Sequence, residues 1–228
     1  MQLNSSAARL IIVLKPKIRQ YRDKDRDEIR TIAAATASGY PRADLQLVAD
    51  LLTEYYVNYE PENTLIAETS GDVVGYLSGC VNTGKCRKVK GTIIIPRAIT
   101  RAIIRGEVGW REIKYLGSFI RVTIRGGIRN NPPPGYPAHF HINVKDGFRG
   151  KGIGSELVTS FLDLLSGTGV EGVHVRVRQS DMKTIRFFKS FGFMRKKSYP
   201  IVIYGPDGFK TSRSIIYTKR LDSKVKDQ

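Results

Sequence analysis

The spacing of apolar positions over residues 17–81 predicts a strand, two helices and a hairpin, in that order. The helical segments place apolar residues three and four positions apart, whereas the strand segments alternate apolar and polar side chains. Ser70-Gly71-Asp72, between the last two strands, is typical of a tight hairpin turn. The predicted elements are a strand over Lys17–Tyr21, helices over Asp23–Ser38 and Ala43–Tyr56, and strands over Thr64–Glu68 and Val73–Val81.

From residue 138 onward, strand and helix patterns alternate along the chain. Residues 205–208 read Gly-Pro-Asp-Gly and predict a turn between the last two strands. The resulting β-α-β-α-β-β order predicts an α/β (α+β) fold with a mixed sheet flanked by helices. The predicted elements are a strand over Ala138–Val144, a helix over Ile153–Ser166, a strand over Gly172–Arg178, a helix over Met182–Phe191, and strands over Met194–Tyr204 and Ser212–Leu221.

Residues 84–132 interrupt this order and form a predicted basic helical insertion. Thr92–Ile95 is interpreted as a short strand, while Arg97–Arg105 and Trp110–Val122 alternate basic and apolar residues at helical spacing. Residues 130–137 contain successive prolines, which fix φ and remove backbone donors, so they predict a rigid closing loop. Two interpretations stay open: a solvated amphipathic face, or a surface that binds an acceptor or a partner.

The length of 228 residues suits one domain, which we place at residues 15–221. Residues 1–14 are interpreted as a leader or tail, and residues 222–228 as a charged tail. The apolar stretch Leu10–Leu14 is too short to span a bilayer, and no secretory cleavage site follows it. We therefore expect a cytoplasmic protein.

Two cysteines, Cys80 and Cys86, are interpreted as ordinary thiols of a reducing compartment. A disulfide or half of a metal site are the alternatives. No metal is predicted, because no pair of histidines accompanies them at metal-ligand spacing.

The formal net charge of +17 predicts attraction to polyanions, which include nucleic acid, an anionic membrane surface and a polyphosphate cofactor. Much of the excess lies in the insertion. Between Lys85 and Arg129 there are twelve basic residues and two acids, Glu107 and Glu112. No aromatic-basic RNA-binding signature is present, so charge alone favours nucleic-acid binding.

The most informative segment follows the strand that ends at Val144. A glycine-rich turn runs directly into a helix, and a helix N-terminus presents unpaired amides to an anion. The glycines keep side chains away from these amides, and the two cations in the turn add candidate contacts with phosphate. The spacing fits neither a dinucleotide-binding fingerprint nor a Walker loop. The candidate anion-binding residues are Arg149, Gly150, Lys151, Gly152, Ile153 and Gly154.

At Arg149, Gly152 and Gly154 the chain resembles the GNAT superfamily of acyl-CoA-dependent N-acyltransferases, whose signature is Arg/Gln-x-x-Gly-x-Gly/Ala. Residues 187–193 resemble that family's Phe-Tyr-x-x-x-Gly-Phe, and the order of elements agrees from residue 17 to about residue 221. Residues 137–142, with the insertion, resemble a prokaryotic subgroup akin to the acetyltransferase-like domain of some hexosaminidases.

The resemblance implies a mostly antiparallel sheet, splayed between its fourth and fifth strands, that binds acetyl-CoA. Backbone groups of Ile142 and Val144 would meet the pantetheine arm, and the Val144 amide would donate to the thioester carbonyl. Residues 149–154 would surround the pyrophosphate. Asp181 stands where relatives commonly place an asparagine near adenosine.

An acceptor amine is protonated near neutrality, so some group must remove its proton before it attacks. His139 and His141 share one face of their strand, and His141, being nearer Val144, is the favoured base. Structural roles for both are the alternative. His174, which lies among valines, is interpreted as a packing residue.

Relatives often protonate the thiolate with the tyrosine of the Phe-Tyr motif, but this chain has Phe188 there. Tyr199, Tyr204 or water are the candidate replacements, because a thiolate of pKa about 8.5 leaves fairly readily.

Three tyrosines at the end of the second helix lie beside two acids, in a region that helps line the acceptor site of relatives. One interpretation is a cationic or polyamine acceptor; the other is ordinary packing. The five residues are Glu54, Tyr55, Tyr56, Tyr59 and Glu60.

These features favour an acetyl-CoA-dependent N-acetyltransferase acting on an unidentified amine. The alternatives are a CoA-binding module with little turnover and a basic nucleic-acid-binding protein. The sequence also leaves a homodimer open.

Overall fold

The computed structural model describes residues 16–37, 45–106, 109–110, 131–205 and 208–221. The predicted leader, the charged tail, nearly all of the insertion's second predicted helix, and Pro206 and Asp207 of the predicted turn lie outside these residues. Within the described ranges, no helix is both long enough and apolar enough to cross a membrane.

A single seven-stranded sheet, in the order β1-β2-β3-β4-β5-β7-β6, forms the centre of the described fold. Every neighbouring pair is antiparallel except β4 and β5. This confirms the predicted mixed, mostly antiparallel sheet. The strands are β1 Lys17–Gln20, β2 Thr64–Thr69, β3 Asp72–Cys80, β4 Ala138–Val144, β5 Gly172–Arg178, β6 Met194–Gly205 and β7 Gly208–Arg220.

Helices cover both faces of the sheet, and most lie close to their predicted positions. The second helix continues three residues beyond its predicted end, to Tyr59. The helices are α1 Arg26–Thr36, α2 Leu45–Tyr59, α3 Thr83–Val89, α4 Ile95–Ile104, α5 Ile153–Ser166 and α6 Met182–Ser190.

The strand predicted at Thr92–Ile95 is wrong. A π-helical segment, Lys90–Ile94, joins α3 to α4 there and makes the chain helical from residue 83 to residue 104. The isoleucines favour a strand locally, but Ile94 is buried in a cluster with Tyr55 and Tyr56 of α2. Packing against α2 therefore overrides local β-propensity.

The first half of the insertion is an integral part of the domain. Ala98 and Ala102 of α4 are buried, and Arg101 forms ion pairs with Asp50 at 3.8 Å and Glu54 at 3.5 Å on α2. This part of the insertion is therefore not simply a solvated face, because one side of α4 packs on the domain.

The sheet splays beside β4, as expected. Strands β4 and β5 pair only at Ala138↔Val173 and His139↔His174, whereas β4 pairs with β3 as far as Val144. The edge of β4 that faces β5 is consequently unpaired beyond His139, and a cleft opens between the two strands.

The main core lies between the sheet and helices α5 and α6, and it contains one very close approach. A Cβ atom at Gly79 of β3 would lie 2.1 Å from Cζ of Phe161, which is fully buried on α5. The glycine is therefore required for α5 to reach the sheet.

Replacing Gly79 with alanine should lower the free energy of unfolding by about 2–3 kcal/mol, because a buried ring must leave its position. Urea unfolding measures the effect. Gly91→Ala is the matched control, since a Cβ there meets nothing within 4 Å and the residue is helical, so stability should stay equal or rise slightly. Equal effects of the two substitutions would contradict this packing.

Candidate active site

The glycine-rich turn after β4 has the geometry of an anion-binding loop. Gly147, Gly150 and Gly152 have φ of 80°, 80° and 81°, a region that favours glycine. Gly152 is the N-cap of α5, and no side chain caps that end of the helix. A Cβ at Gly150 or Gly152 would meet nothing within 4 Å, so the space beside the turn is open. The first amides of α5 are thus available to a phosphate.

Arg149 holds this turn against the end of β4. Its Nε donates to the carbonyl oxygen of Val144 at 3.0 Å, and its Nη1 pairs with Asp146 at 3.0 Å. Lys151 is exposed, with Nζ 5.1 Å from the ring centre of Phe148. This positioning role of Arg149 was not predicted from the sequence.

The amides of Ile142 and Val144 face the cleft. The amide of Lys145 donates to the carbonyl of Val74 on β3 at 2.9 Å, and successive amides of a strand point to opposite sides. The even-numbered residues of β4 therefore direct their amides away from β3. The bond from Arg149 to the Val144 carbonyl, on that same side, agrees with this assignment.

Ile153 and Gly154, the last two residues of the loop, pack against other elements of the fold. Ile153 is buried in the main core, so its backbone but not its side chain is open to a ligand. A Cβ at Gly154 would be 3.7 Å from Cδ1 of Ile142 and 3.6 Å from Cζ of Phe187. Gly154 thus lies where α5 approaches both β4 and α6.

The carboxylate of Asp181 caps helix α6. Its two oxygens accept from the amide of Thr184 at 3.0 Å and from the hydroxyl of the same residue at 2.7 Å. The carboxylate therefore has a structural role at the start of α6. The expected contact between Asp181 and adenosine stays a prediction.

Phe188, which occupies the position of the family's tyrosine, and the two tyrosines named as its replacements lie in different parts of the fold. Phe188 is buried in the main core beside Phe140. The ring centre of Tyr199 on β6 is 6.0 Å from Cζ of Arg176, which lines the pocket described next. Tyr204 lies in β6, but its side chain is outside the described part of the structure.

A pocket of about 290 Å³ lies beside the splayed part of β4. Its lining comes from α2, from the helical first half of the insertion, and from β4 and β5. It includes Tyr56, Lys90, His139, His141 and Arg176. The insertion thus forms one wall of the pocket.

Both ring nitrogens of His139 are engaged in hydrogen bonds. Thr83 donates its hydroxyl to the carbonyl of Pro137 at 2.6 Å, so it accepts from Nδ1–H of His139 at 2.7 Å. Nε2 then accepts from the hydroxyl of Tyr56 at 2.8 Å. Burial, followed by the neighbouring histidines and cations, holds the pKa of His139 well below its usual value. His139 is therefore a neutral member of a buried network.

Cys80 and Cys86 are both free, buried thiols next to this network. Sγ of Cys80 is 3.1 Å from Nδ1 of His139, and one donor atom from each cysteine and from His139 all lie within 4.8 Å of one another. Thiolate and imidazole groups at this spacing suit a soft cation such as Zn²⁺. The hydrogen bonds of His139 account for its placement without an ion.

His141 also lines the pocket, but it is more exposed to solvent than His139. Although the ring is solvent-accessible, enclosure by the surrounding protein, followed by the charges of Lys90 and Arg176, lowers the pKa of His141 to about 3. The imidazole is therefore neutral near pH 7 and able to accept a proton, but it is a weaker base than an ordinary histidine.

His174 is buried, as expected of a packing residue. Its Nδ1 donates to the carbonyl of Tyr136 at 2.9 Å, and burial lowers its pKa to about 4.

The acids expected near the acceptor serve the fold instead. Glu60 is buried and accepts from the hydroxyl of Tyr55 at 2.5 Å and from the amide of Val81 at 2.9 Å. Glu54 pairs with Arg101 at 3.5 Å. A cationic acceptor therefore gains no support from these two carboxylates.

Sequence reasoning missed three cations of the pocket, Arg87, Lys90 and Arg176. Arg176 follows His174 by two residues in a predicted strand, so alternation could have placed both side chains on one face. Lys90 lies in a run of basic residues whose pattern does not distinguish a pocket residue from an exposed one.

Comparison with known proteins agrees with this geometry. The sequence model of the Acetyltransferase (GNAT) family matches residues 114–193, whereas no curated protein sequence matches the chain. The fold is similar to the crystal structure of SsHAT, with a TM-score of 0.61 and 21% identity over 91% of this chain and 98% of that one.

Two other solved structures share the fold at lower identity. The ribosomal-protein-S18-alanine N-acetyltransferase from Escherichia coli has a TM-score of 0.55 and 14% identity, covering 94% of this chain and 99% of that one. The yncA protein from Salmonella typhimurium, solved with its cofactor acetyl-CoA, has a TM-score of 0.57 and 16% identity, covering 91% and 95%. Residues 114–193 thus match the Acetyltransferase (GNAT) family, and the chain has the fold of these acetyltransferases.

Proposed function

We propose that this chain binds acetyl-CoA in the cleft beside β4 and transfers the acetyl group to an amine that enters the adjoining pocket. The observation that carries the proposal is the continuity of the unpaired edge of β4 with an uncapped, glycine-flanked helix N-terminus. These features supply backbone donors for an extended arm that ends in phosphates.

When bound, acetyl-CoA supplies a thioester whose carbonyl carbon is activated toward an amine. Residues 150–154 offer amides to the pyrophosphate, and Arg149 keeps that turn against β4. The Val144 amide stabilises negative charge that develops on the carbonyl oxygen. His141 accepts the proton of the amine, directly or through water, because it is neutral and is the most exposed of the histidines that line the pocket.

The departing thiolate must receive a proton from another group, because Phe188 has none to donate. We assign this step to Tyr199, to Tyr204 or to water. We also propose a cytoplasmic location, since two free thiols fit a reducing compartment.

A CoA-binding module with little turnover is the main alternative, because Phe188 and Asp181 both depart from the family pattern. Nucleic-acid binding by the insertion is supported by its positive charge alone. Part of this charge is compensated within the fold, because the guanidinium of Arg101 pairs with acids of α2. The transferase is therefore the stronger proposal.

Incubating the protein with acetyl-CoA and a panel of amines should release CoA thiol at least about 100-fold faster with a suitable acceptor than without one. Thiol release measures the rate, and mass spectrometry of the amine confirms N-acetylation. Acetyl-CoA that binds but yields no acetylated product with amino acids, peptides, polyamines or aminosugars would contradict the transferase and favour the binding module.

A further inference from the structure

The amine pocket of the proposed transferase has a cationic wall. Arg87, Lys90 and Arg176 line it together with His141, and no carboxylate is among the described residues that form the lining. The cations come from separate elements, namely the insertion and β5. The positive charge of the lining therefore depends on the fold, which brings two parts of the chain together, and not on a single run of basic residues.

Lys90 is held inside this wall by an aromatic side chain. Its Nζ lies 4.5 Å from the ring centre of Tyr56 and 3.5 Å from the hydroxyl of that residue. Burial lowers the pKa of Lys90, although the neighbouring Cys86 acts in the opposite direction. A partly desolvated ammonium group gains from an anionic partner, because burial of a charge is unfavourable unless the charge is compensated.

Arg176 reaches the pocket from β5, whereas Lys90 comes from the insertion. Its guanidinium is held near the ring of Tyr199, and a guanidinium can form two parallel hydrogen bonds with a carboxylate. The pocket therefore combines a point charge and a planar donor around the candidate base.

Among the residues that the structure describes, the carboxylates of Glu60 and Glu54 do not make the pocket less positive. Glu60 is committed to Tyr55 and Val81, and Glu54 to Arg101, so neither contributes to the lining. A polyamine or a lysine-rich tail would bring further positive charge against Lys90 and Arg176, which is unfavourable.

From this arrangement we propose that the acceptor is an amine that carries an anionic group, most simply a carboxylate, close to its nucleophilic nitrogen. Lys90 and Arg176 bind the anion and thereby orient the amine toward His141. This inference rests on the proposed function, since it names the substrate class of the same site. A free amino acid and the N-terminus of a peptide with an early acidic residue share this chemistry.

Paired acceptors that differ only in charge test the proposal. Glycine is compared with glycinamide, and an N-terminal Ser-Asp peptide with its Ser-Asn counterpart, using thiol release at saturating acetyl-CoA. The acidic member of at least one pair should have a kcat/KM about tenfold higher or more. The first pair reports on a free amino acid and the second on a peptide.

Lys90→Gln and Arg176→Gln should each reduce that preference toward one and raise KM for the acidic acceptor, with the KM for acetyl-CoA unchanged. Lys88→Gln is the matched control, because it removes the same charge from an exposed position outside the lining and should keep the preference. Equal kcat/KM within both pairs, or faster acetylation of a polyamine, would overturn the proposal.

A binding measurement separates this inference from failure of the transferase itself. N-acetylglycine and N-acetylglycinamide are titrated calorimetrically into the protein saturated with CoA. The acid should bind about tenfold more tightly or better, and Lys90→Gln should remove the difference, even if no amine supports turnover. Equal binding of the two probes by the unmodified protein would overturn the inference.

Discussion

Replacing Gly152 with glutamate should lower the affinity for acetyl-CoA by about 100-fold or more. The new carboxylate would enter the open space beside the first amides of α5, where we place the pyrophosphate, and would repel it. Loss of two charge-assisted hydrogen bonds, at about 1.5–3 kcal/mol each, is sufficient for such a change. Isothermal titration with acetyl-CoA measures the affinity, and the thermal shift on adding the ligand should disappear.

Gly169→Glu is the matched control for backbone strain. Gly169 has φ of 73° against 81° at Gly152, and a Cβ at either position meets nothing within 4 Å. Both substitutions should therefore cost about 1–2 kcal/mol of stability from the left-handed conformation. Only the change at Gly152 should affect acetyl-CoA. Full binding by Gly152→Glu, or equal loss in both variants, would remove the loop from the site.

Replacing His141 with alanine should reduce turnover by about 100-fold while leaving the affinity for acetyl-CoA unchanged. This value is at the lower end of the range for general-base assistance, because a histidine of such low pKa removes a proton less effectively. The rate of thiol release with a responsive amine measures the effect.

The pH profile provides a second test of His141. A histidine acts as a base in its neutral form, which is present above its pKa. Because the pKa is lowered from 6.5 to about 3, the neutral form persists through the neutral range, and the base is lost only as the pH falls toward the lowered value. We therefore expect no inflection near 6.5. Any rise at higher pH should follow deprotonation of the acceptor amine, and a clear inflection near 6.5 that vanishes in His141→Ala would contradict the lowered pKa.

His139→Ala is the companion variant on the same face of β4. It should lower the free energy of unfolding by about 1–3 kcal/mol, since Tyr56 and Thr83 each lose a buried partner. Its turnover should stay within about tenfold of wild type at a temperature where both are folded. A larger loss of turnover in His139→Ala than in His141→Ala would move the role of base to His139.

Elements with strong local signals could be predicted closely from the sequence. Strands β4 and β5 and helix α5 have the predicted bounds, because alternation, helical periodicity and glycine-rich ends all agree there. Period-two alternation also placed His139 and His141 on one face. It could not separate their roles, because these depend on Thr83 and Tyr56, which are distant along the chain.

Where local and tertiary preferences conflict, the sequence was misleading. The isoleucines at residues 93–95 favoured a strand, yet burial of Ile94 against α2 makes them helical. Likewise, Glu60 beside three tyrosines suggested an attraction for cations, but the fold uses this carboxylate to bind Tyr55 and Val81. The positive sign of the pocket emerges only when Lys90 and Arg176 converge from separate elements.

Titrating acetyl-CoA into ¹⁵N-labelled protein locates its binding site, because each backbone amide gives its own signal. If the cleft beside β4 binds acetyl-CoA, saturable chemical-shift changes should be concentrated at the amides of Ile142 and Val144 and of residues 150–154. Amides in the distant turn at Gly169 should stay unchanged. Absence of saturable changes, or changes confined to another part of the chain, would contradict the assignment of this cleft as the acetyl-CoA site.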